Sequence, residues 1–398
     1  MSAQQEIREA NLKRIFRIIL TEKSVSRAQI AHKTKLTKTT VSSLVEELLD
    51  RHFVEERIDS TAPNKIGRKP IQIIPDSSRS AIIVISWRSR SVLCTILSIS
   101  SSILFEQTLP YSEKEDGSAL LISYCNNTLI PFTKDRNLNL LGICIIVPAI
   151  VNRTQKKIHS TVLHFPNNKL SAHILSEKIP FHPLTILNDT ACLGYAELLN
   201  SRLQKQNFSY VNLNSGVGAV FFEKGKMLGG AGAMATQFGH LSIYRDGRQC
   251  PCGGRGCLEQ EIGEMNLTKK AAQFGIHPTK KQPITFAYIG KLVAEQHKAA
   301  QDLVRCLAKD LAYGLSNLIA LCNPQLIILG GSGVKLGETY LKNITEELHM
   351  IGFKEFVSKV QIKFSTLGDS AETLGASRYF MDEYFTFTRD MSSALYLG

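Results

Sequence analysis

Hydrophobic residues recur at helical spacing from the start of the chain. Over residues 6–20, Leu12, Ile15, Phe16, Ile19 and Leu20 fall on one side and Lys13, Arg14 and Arg17 on the other, which predicts an amphipathic helix. Ser26 and Gln29 have the capping-box spacing, so a second helix is predicted to begin at Arg27. A short turn at Lys35 and Leu36 leads to Thr37, a natural N-cap, and a third helix reaching about Arg51. Its apolar stripe is Val41, Leu44, Val45 and Leu48; the opposite face near its start carries Lys38, Thr39, Ser42 and Ser43. Two short helices, a tight turn and a polar second helix are the layout of a helix-turn-helix whose second helix enters the major groove.

Residues 53–57 and 70–75 both read as extended, joined by IDSTAPNKIGRK. That pattern predicts a β-wing with Lys65, Arg68 and Lys69 at its tip, cations suited to a phosphate backbone or a minor groove. The candidate DNA contacts are therefore Arg27, Lys38, Thr39, Ser42, Ser43, Lys65, Arg68 and Lys69. A small helical subdomain used for oligomerisation has the same helix spacing; the basic wing tip favours double-stranded DNA.

Past Asp76 the texture changes. Short apolar runs at 82–85, 92–99, 141–147, 211–213, 218–222 and 326–329 alternate with helical stretches. Many are apolar throughout, as strands covered on both faces are. The predicted class is α/β, with a winged helix-turn-helix over 1–75 and a doubly wound domain of two lobes over 76–398, a cleft lying between the lobes.

Net charge is +12, which favours a polyanionic partner because basic side chains release counterions condensed on phosphates. No apolar run approaches the roughly 20 residues of a membrane span. The opening MSAQQEIREANLKRIFRIIL mixes charge with apolar residues, unlike a signal peptide, so a cytoplasmic location is predicted. Of nine cysteines, six are scattered singly through apolar segments, while Cys250, Cys252 and Cys257 cluster. In a chain without a signal this reads as reduced core thiols plus a metal site.

The most specific motif is QFGHLSIYRDGRQCPCGGRGCLEQ. His240, Cys250, Cys252 and Cys257 supply one imidazole and three thiolates, a set suited to a closed, structural tetrahedral zinc. The intervening glycines let a short loop fold back on the metal. A DNA-contacting zinc finger is a weaker reading, since no basic helix follows the ligands.

This motif resembles the signature of the ROK family, which unites bacterial sugar kinases and sugar-responsive repressors. VPAIV at 147–151, ILNDTACLGYAE at 186–197, LNSGVGAVFFEKGKMLGG at 213–230 and IILGGSG at 327–333 are similar to further family segments, so the resemblance spans essentially the whole chain. It implies a two-lobed, actin-like, sugar-kinase-like domain behind the helix-turn-helix. That head places the chain in the repressor branch, with xylose- and N-acetylglucosamine-responsive members. The family's kinases open their first strand with Asp-x-Gly-Gly-Thr, which holds ATP phosphates and magnesium; the matching stretch here is Ser86-Trp87-Arg88-Ser89-Arg90. Their second loop, Gly-Thr-Gly, reads Asn214-Ser215-Gly216. Without the carboxylate and glycines no kinase activity, and no enzymatic function, is expected.

By the same resemblance a sugar site would draw on Asn188, Asp189, His240 and Glu259, with Asn167 or Asn168, and on Gln237, which stands where the family has glutamate. His240 would then serve zinc with one ring nitrogen and a sugar hydroxyl with the other. The Asn188-Asp189 pair also suits a helix cap after a strand. The resemblance thus implies a homodimer or homotetramer that reads a palindromic operator and is released by a sugar or sugar phosphate. Two alternatives remain: a sugar kinase with a DNA-binding regulatory head, and a repressor governed by a protein partner.

Overall fold

Ser2 starts the first helix by a reciprocal cap. Its hydroxyl accepts the Gln5 N–H while the Gln5 side chain accepts its own N–H, and α1 runs Ala3–Glu22. Ser26 and Gln29 repeat the device for α2 (Arg27–Thr34). Lys35, at φ 59°, turns the chain into α3 (Lys38–Asp50), capped by Thr37. The stripe Val41, Leu44, Val45 and Leu48 is buried as predicted, with Leu12, Ile15, Ile19 and Ile30 of the neighbouring helices. Strands β1 (Val54–Ile58) and β2 (Ile71–Pro75) pair antiparallel, and Val25 bridges to Ile73. The winged helix-turn-helix is therefore present with its strands within a residue of expectation. Its tip, with Lys65, Arg68 and Lys69, lies outside the described residues.

The structure is a computed structural model describing residues 2–58, 71–112, 115–160, 162–163, 169–181, 183–200, 203–233, 235–279, 282–387 and 394–397. It divides into two units, Met1–Tyr195 with Glu372–Gly398, and Ala196–Ala371.

After the wing, the first unit builds a six-stranded sheet. Its strands are β3 (Ser80–Trp87), β4 (Ser91–Ser98), β5 (Ile103–Pro110), β6 (Asn139–Val147), β10 (Leu184–Asn188) and β16 (Leu395–Leu397), in the order β16-β10-β6-β3-β4-β5. The strands from β3 to β16 are parallel and the β3-β4-β5 meander antiparallel. Helices α4 (Gly117–Tyr124), α5 (Ile130–Asp135), α6 (Ala172–Lys178) and α7 (Asp189–Glu197) accompany it, with a small antiparallel sheet of β7 (Ile150–Asn152), β8 (Lys157–His159) and β9 (Lys169–Ser171). All of β3 is buried, which explains its unbroken apolar run; edge strand β5 is mostly exposed and carries the polar run Glu106-Gln107-Thr108 at its centre.

The second unit holds β11 (Phe208–Leu213), β12 (Val217–Glu223), β13 (Lys226–Met227), β14 (Leu326–Gly330) and β15 (Gln361–Phe364), in the order β13-β12-β11-β14-β15. Around it are α8 (Leu258–Ile262), α9 (Glu264–Ala272), α10 (Phe286–Ala294), α11 (Lys298–Cys322), α12 (Glu338–Ile351) and α13 (Lys354–Val357). The six apolar runs picked out in the sequence fall on β3, β4, β6, β11, β12 and β14. Among the described residues no helix is long and apolar enough to cross a membrane.

The chain then returns to the first unit through α14 (Ala371–Tyr379), a π-helical turn at Phe380–Tyr384, and an extended stretch to Phe387. Phe380 lies against β6 so closely that a Cβ on Gly142 would sit 2.6 Å from its ring. Gly142→Ala should therefore overpack this contact and cost about 1–3 kcal/mol, read as a lower denaturation midpoint at unchanged slope.

Candidate functional site

The start of α3 is the polar face of the head. Lys38, Thr39 and Ser43 are exposed and Ser42 is half-buried. Arg27 points elsewhere than its charge alone suggests: its guanidinium donates to Glu46 of α3 at 2.7 Å and to Glu56 of β1 at 2.8 Å. It thus ties three elements of the head together.

In the second unit, His240, Cys250, Cys252 and Cys257 converge, their ligand atoms all within 4.8 Å of one another. His240 closes a short 3₁₀ turn, and its Nδ1 lies 3.8 Å from the Cys250 sulfur. Cys252 and Cys257 are 3.7 Å apart, sulfur to sulfur, too far for a disulfide. A tetrahedral zinc with Zn–S bonds of about 2.3 Å separates its thiolates by roughly 3.8 Å, so the donors fit such an ion. Gly256 makes the loop possible: at φ +64° it passes so near Tyr244 that a Cβ would lie 1.8 Å from the Tyr244 carbonyl oxygen. Burial, then the adjoining Cys252 and Cys250 thiols, push the Cys257 thiol up to about 12. A bound cation would relieve that crowding of thiolates.

Cys257 leads directly into α8, whose first turn carries Glu259. One Glu259 oxygen accepts the Val217 N–H at 2.9 Å and sits where a Cβ on Gly216 would meet it. The loop Asn214-Ser215-Gly216 is held further by Ser332, which donates to Asn214 and to Glu264, both at 2.9 Å. Gln237, just ahead of the His240 turn, is exposed.

In the first unit, Asn188 ends β10 and caps α7: its Oδ1 accepts the Ala191 N–H at 3.0 Å while its Nδ2 donates to the Ala149 carbonyl at 3.0 Å. The capping role open in the sequence is real, and it fixes Asp189 at the head of α7. Asp189 accepts the Thr190 N–H at 2.7 Å. Burial, with Glu372 adding like charge, pushes its carboxyl up to about 7. Asn167 and Asn168 lie outside the described residues.

Sequence reasoning missed Glu372. The stretch Ser86-Trp87-Arg88-Ser89-Arg90 has no carboxylate of its own, yet Glu372 brings one from the start of α14. Ser86 donates to it at 2.8 Å and Arg88 at 3.2 Å. Arg88 also reaches the Ser86 hydroxyl at 3.3 Å, and Tyr111 bonds the Trp87 ring nitrogen and the Arg88 carbonyl. Ser86, Arg88 and Glu372 thus bond one another across this turn. No local signal could have shown it, since Glu372 lies 286 residues from Ser86.

A winged helix-turn-helix joined to α/β sheets of the sugar-kinase kind defines a class of two-part regulator and kinase-like proteins. The chain belongs to the ROK family, whose family model matches residues 92–383. It is 25% identical to the xylose repressor of Caldicellulosiruptor bescii over 96% of this chain and 98% of that one. It is 23% identical to the xylose repressor of Bacillus subtilis (96% and 97%), and 24% identical to the DNA-binding transcriptional dual regulator NagC of Escherichia coli (93% and 92%). Its fold is similar to that of a ROK family transcriptional regulator described as a homolog of the E. coli MLC protein: TM-score 0.78, 19% identity, 94% of this chain and 95% of that one. A ROK glucokinase from Streptomyces griseus matches 75% of this chain and 98% of its own, with TM-score 0.59 and 19% identity. These likenesses establish the predicted fold class.

Two outcomes follow from the geometry. Cys257→Ser should abolish stoichiometric metal in the purified protein, measured by atomic emission, and lower Tm by at least about 5 °C. Asp189, with a folded pKa near 7 against an ordinary 3.8, holds a proton in the native state that the unfolded chain has released between those values. Its contribution to stability therefore falls as pH rises from about 4 to 7 and levels off above. The Tm of Asp189→Asn relative to wild type should climb through that window and then stay constant.

Proposed function

We propose that this protein is a DNA-binding transcriptional repressor of carbohydrate-use genes, relieved by a sugar or sugar phosphate. The observation that carries it is the exposed, short-chained polar face at the start of α3, on a properly capped helix-turn-helix. Supporting it, the relatives that match along almost the full chain are named repressors or regulators. Lys38, Thr39, Ser42 and Ser43 meet base edges and phosphates in the major groove, and Lys65, Arg68 and Lys69 of the wing tip meet the backbone. Arg27, shared by Glu46 and Glu56, braces the helices and reaches a phosphate only by giving up one of them. Two heads of a homodimer or homotetramer read a palindromic operator.

The candidate residues for sugar hydroxyls are Asn168, Asn188, Asp189, Gln237, His240 and Glu259. The Cys₃His cluster holds zinc, which supplies no reaction but fixes His240 and the start of α8. The internally bonded Ser86–Arg90 turn and the braced Asn214–Gly216 loop support a protein that binds sugar without phosphorylating it.

The test is operator binding by fluorescence anisotropy with fragments from this protein's own promoter region, across a salt series and with candidate sugars added. Lys38→Ala should weaken binding to all fragments alike and reduce the salt slope by about 1. Thr39→Ala should cost about 1–3 kcal/mol at one base position only. Sequence-independent binding with no response to any sugar would overturn the reading, as would ATP-dependent sugar phosphorylation.

A further inference from the structure

The segment 371–387 is gripped at both ends inside the first unit. At its start Glu372 receives Ser86 at 2.8 Å and Arg88 at 3.2 Å. Midway, Tyr379 stacks on Tyr195 of α7, ring centroids 4.1 Å apart and planes 11° apart, and the Tyr195 hydroxyl donates to Glu383 at 3.1 Å. Further on, Arg378 and Arg17 hold the two oxygens of Asp382, at 2.6 and 3.0 Å, and Arg17 belongs to α1 of the DNA-binding head. At its end the Phe387 N–H is shared by both oxygens of Glu9, 3.0 Å each, and Arg51 donates to the Phe387 carbonyl at 2.8 Å. The Phe387 ring packs edge-on against Phe16 and Phe53 of the head, centroids 5.5 and 5.0 Å away.

We propose that this segment is the transmission element of the protein, and that Arg88 and Glu372 are positioning residues that set how Phe387 is seated in the DNA-binding head. The physical reasons are three. A helix is stiff along its axis, so a displacement at Glu372 is carried to Tyr379 and beyond rather than absorbed. The one irregular part, the π turn at Phe380–Tyr384, is clamped by Asp382 and Glu383 to the head and to α7, and such turns recur at functional positions. The two-ended grip also joins the Asp189 end of α7 to α1 through contiguous contacts, which coupling between sites requires in physical terms. Arg88 matters here because it brings a full positive charge to Glu372, which the neutral Ser86 hydroxyl does not. Losing Arg88 leaves the Glu372 carboxylate, beside Asp189, with the neutral Ser86 hydroxyl as its remaining donor among the described residues, and the start of α14 loosens.

This assignment rests on the head binding DNA, so it needs two independent readouts on the full-length chain. Hydrogen exchange by mass spectrometry follows peptides from α1, from 380–387 and from α11 of the second unit. Anisotropy follows operator affinity. Arg88→Met and Glu372→Ala should each speed exchange about fivefold or more in the α1 and 380–387 peptides, leave α11 unchanged, and shift operator Kd at least about fivefold. Arg88→Lys, which keeps the charge, should restore most of both. Lys298→Ala, which breaks an exposed ion pair with Asp302 on α11, should change neither. Unchanged exchange in α1 with Arg88→Met and Glu372→Ala overturns the proposal, as does loosening that spreads equally to α11. If wild-type protein binds no operator, the repressor reading fails, while the exchange data still decide the coupling.

Discussion

The interaction that ties the N-terminal head into the first unit is the amide of Phe387 held in the carboxylate of Glu9. Glu9 is only 8% exposed, and an ionised carboxylate in such a place is costly unless its oxygens are bonded. Both are, to a backbone N–H at the far end of the chain. On the carbonyl side of the same residue stands Arg51, its guanidinium 5.3 Å from the Phe53 ring centroid and 5.6 Å from that of Phe387. Four phenylalanines, 16, 53, 385 and 387, close the cluster with edge-to-face contacts of about 0.5–1.5 kcal/mol each. The first and last parts of the sequence therefore share one small core. The DNA-binding head is not a bead on a string: its aromatic core is completed by the chain that leaves α14.

The same economy of internal partners marks the two loops where phosphate would be expected in a kinase of this fold. Loops that hold phosphate do so with open backbone amides and a cation. Here the Val217 amide is taken by the Glu259 carboxylate, and the cation, Arg88, is taken by Glu372. Each loop carries its own counter-charge. Both loops are therefore held by internal hydrogen bonds and ion pairs. The raised Asp189 carboxyl is consistent with this. Buried and beside Glu372, it gains little from ionising, and a carboxyl can bond a hydroxyl in either protonation state.

What could be read from the sequence was what local physics dictates. The Ser2 and Ser26 caps, the α3 stripe and the continuous apolar strands follow from spacings of a few residues, and the structure places them as expected. The cysteine cluster was legible because its ligands lie within eighteen residues and its glycines forecast a folded-back loop. Partners were not legible. The sequence displays the charge of Arg27 but not Glu46 and Glu56, which pair with it across α2, α3 and β1. Nothing near Ser86 points to Glu372, and nothing near Glu9 points to Phe387, 378 residues away. Asn188 was open to two readings because capping and ligand binding use the same side chain; the geometry shows the cap.

Arg51 joins these strands of argument. Helix α3 carries three acids in its second half, Glu46, Glu47 and Asp50, which would repel a phosphate backbone. Arg27 neutralises Glu46, while Glu47 is met by Arg8 at 2.5 Å and by Arg51 at 3.5 Å. With Glu46 and Glu47 compensated, the opposite charges lie at the N-terminal end of α3, where Lys38 and the positive end of the helix dipole add together. Arg51 makes its other bond to the Phe387 carbonyl. Whatever unseats Phe387 therefore removes the stronger of the two bonds that Arg51 Nη1 makes, leaving the longer one to Glu47. Packing at the aromatic core and the charge balance of α3 thus meet at one guanidinium, that of Arg51.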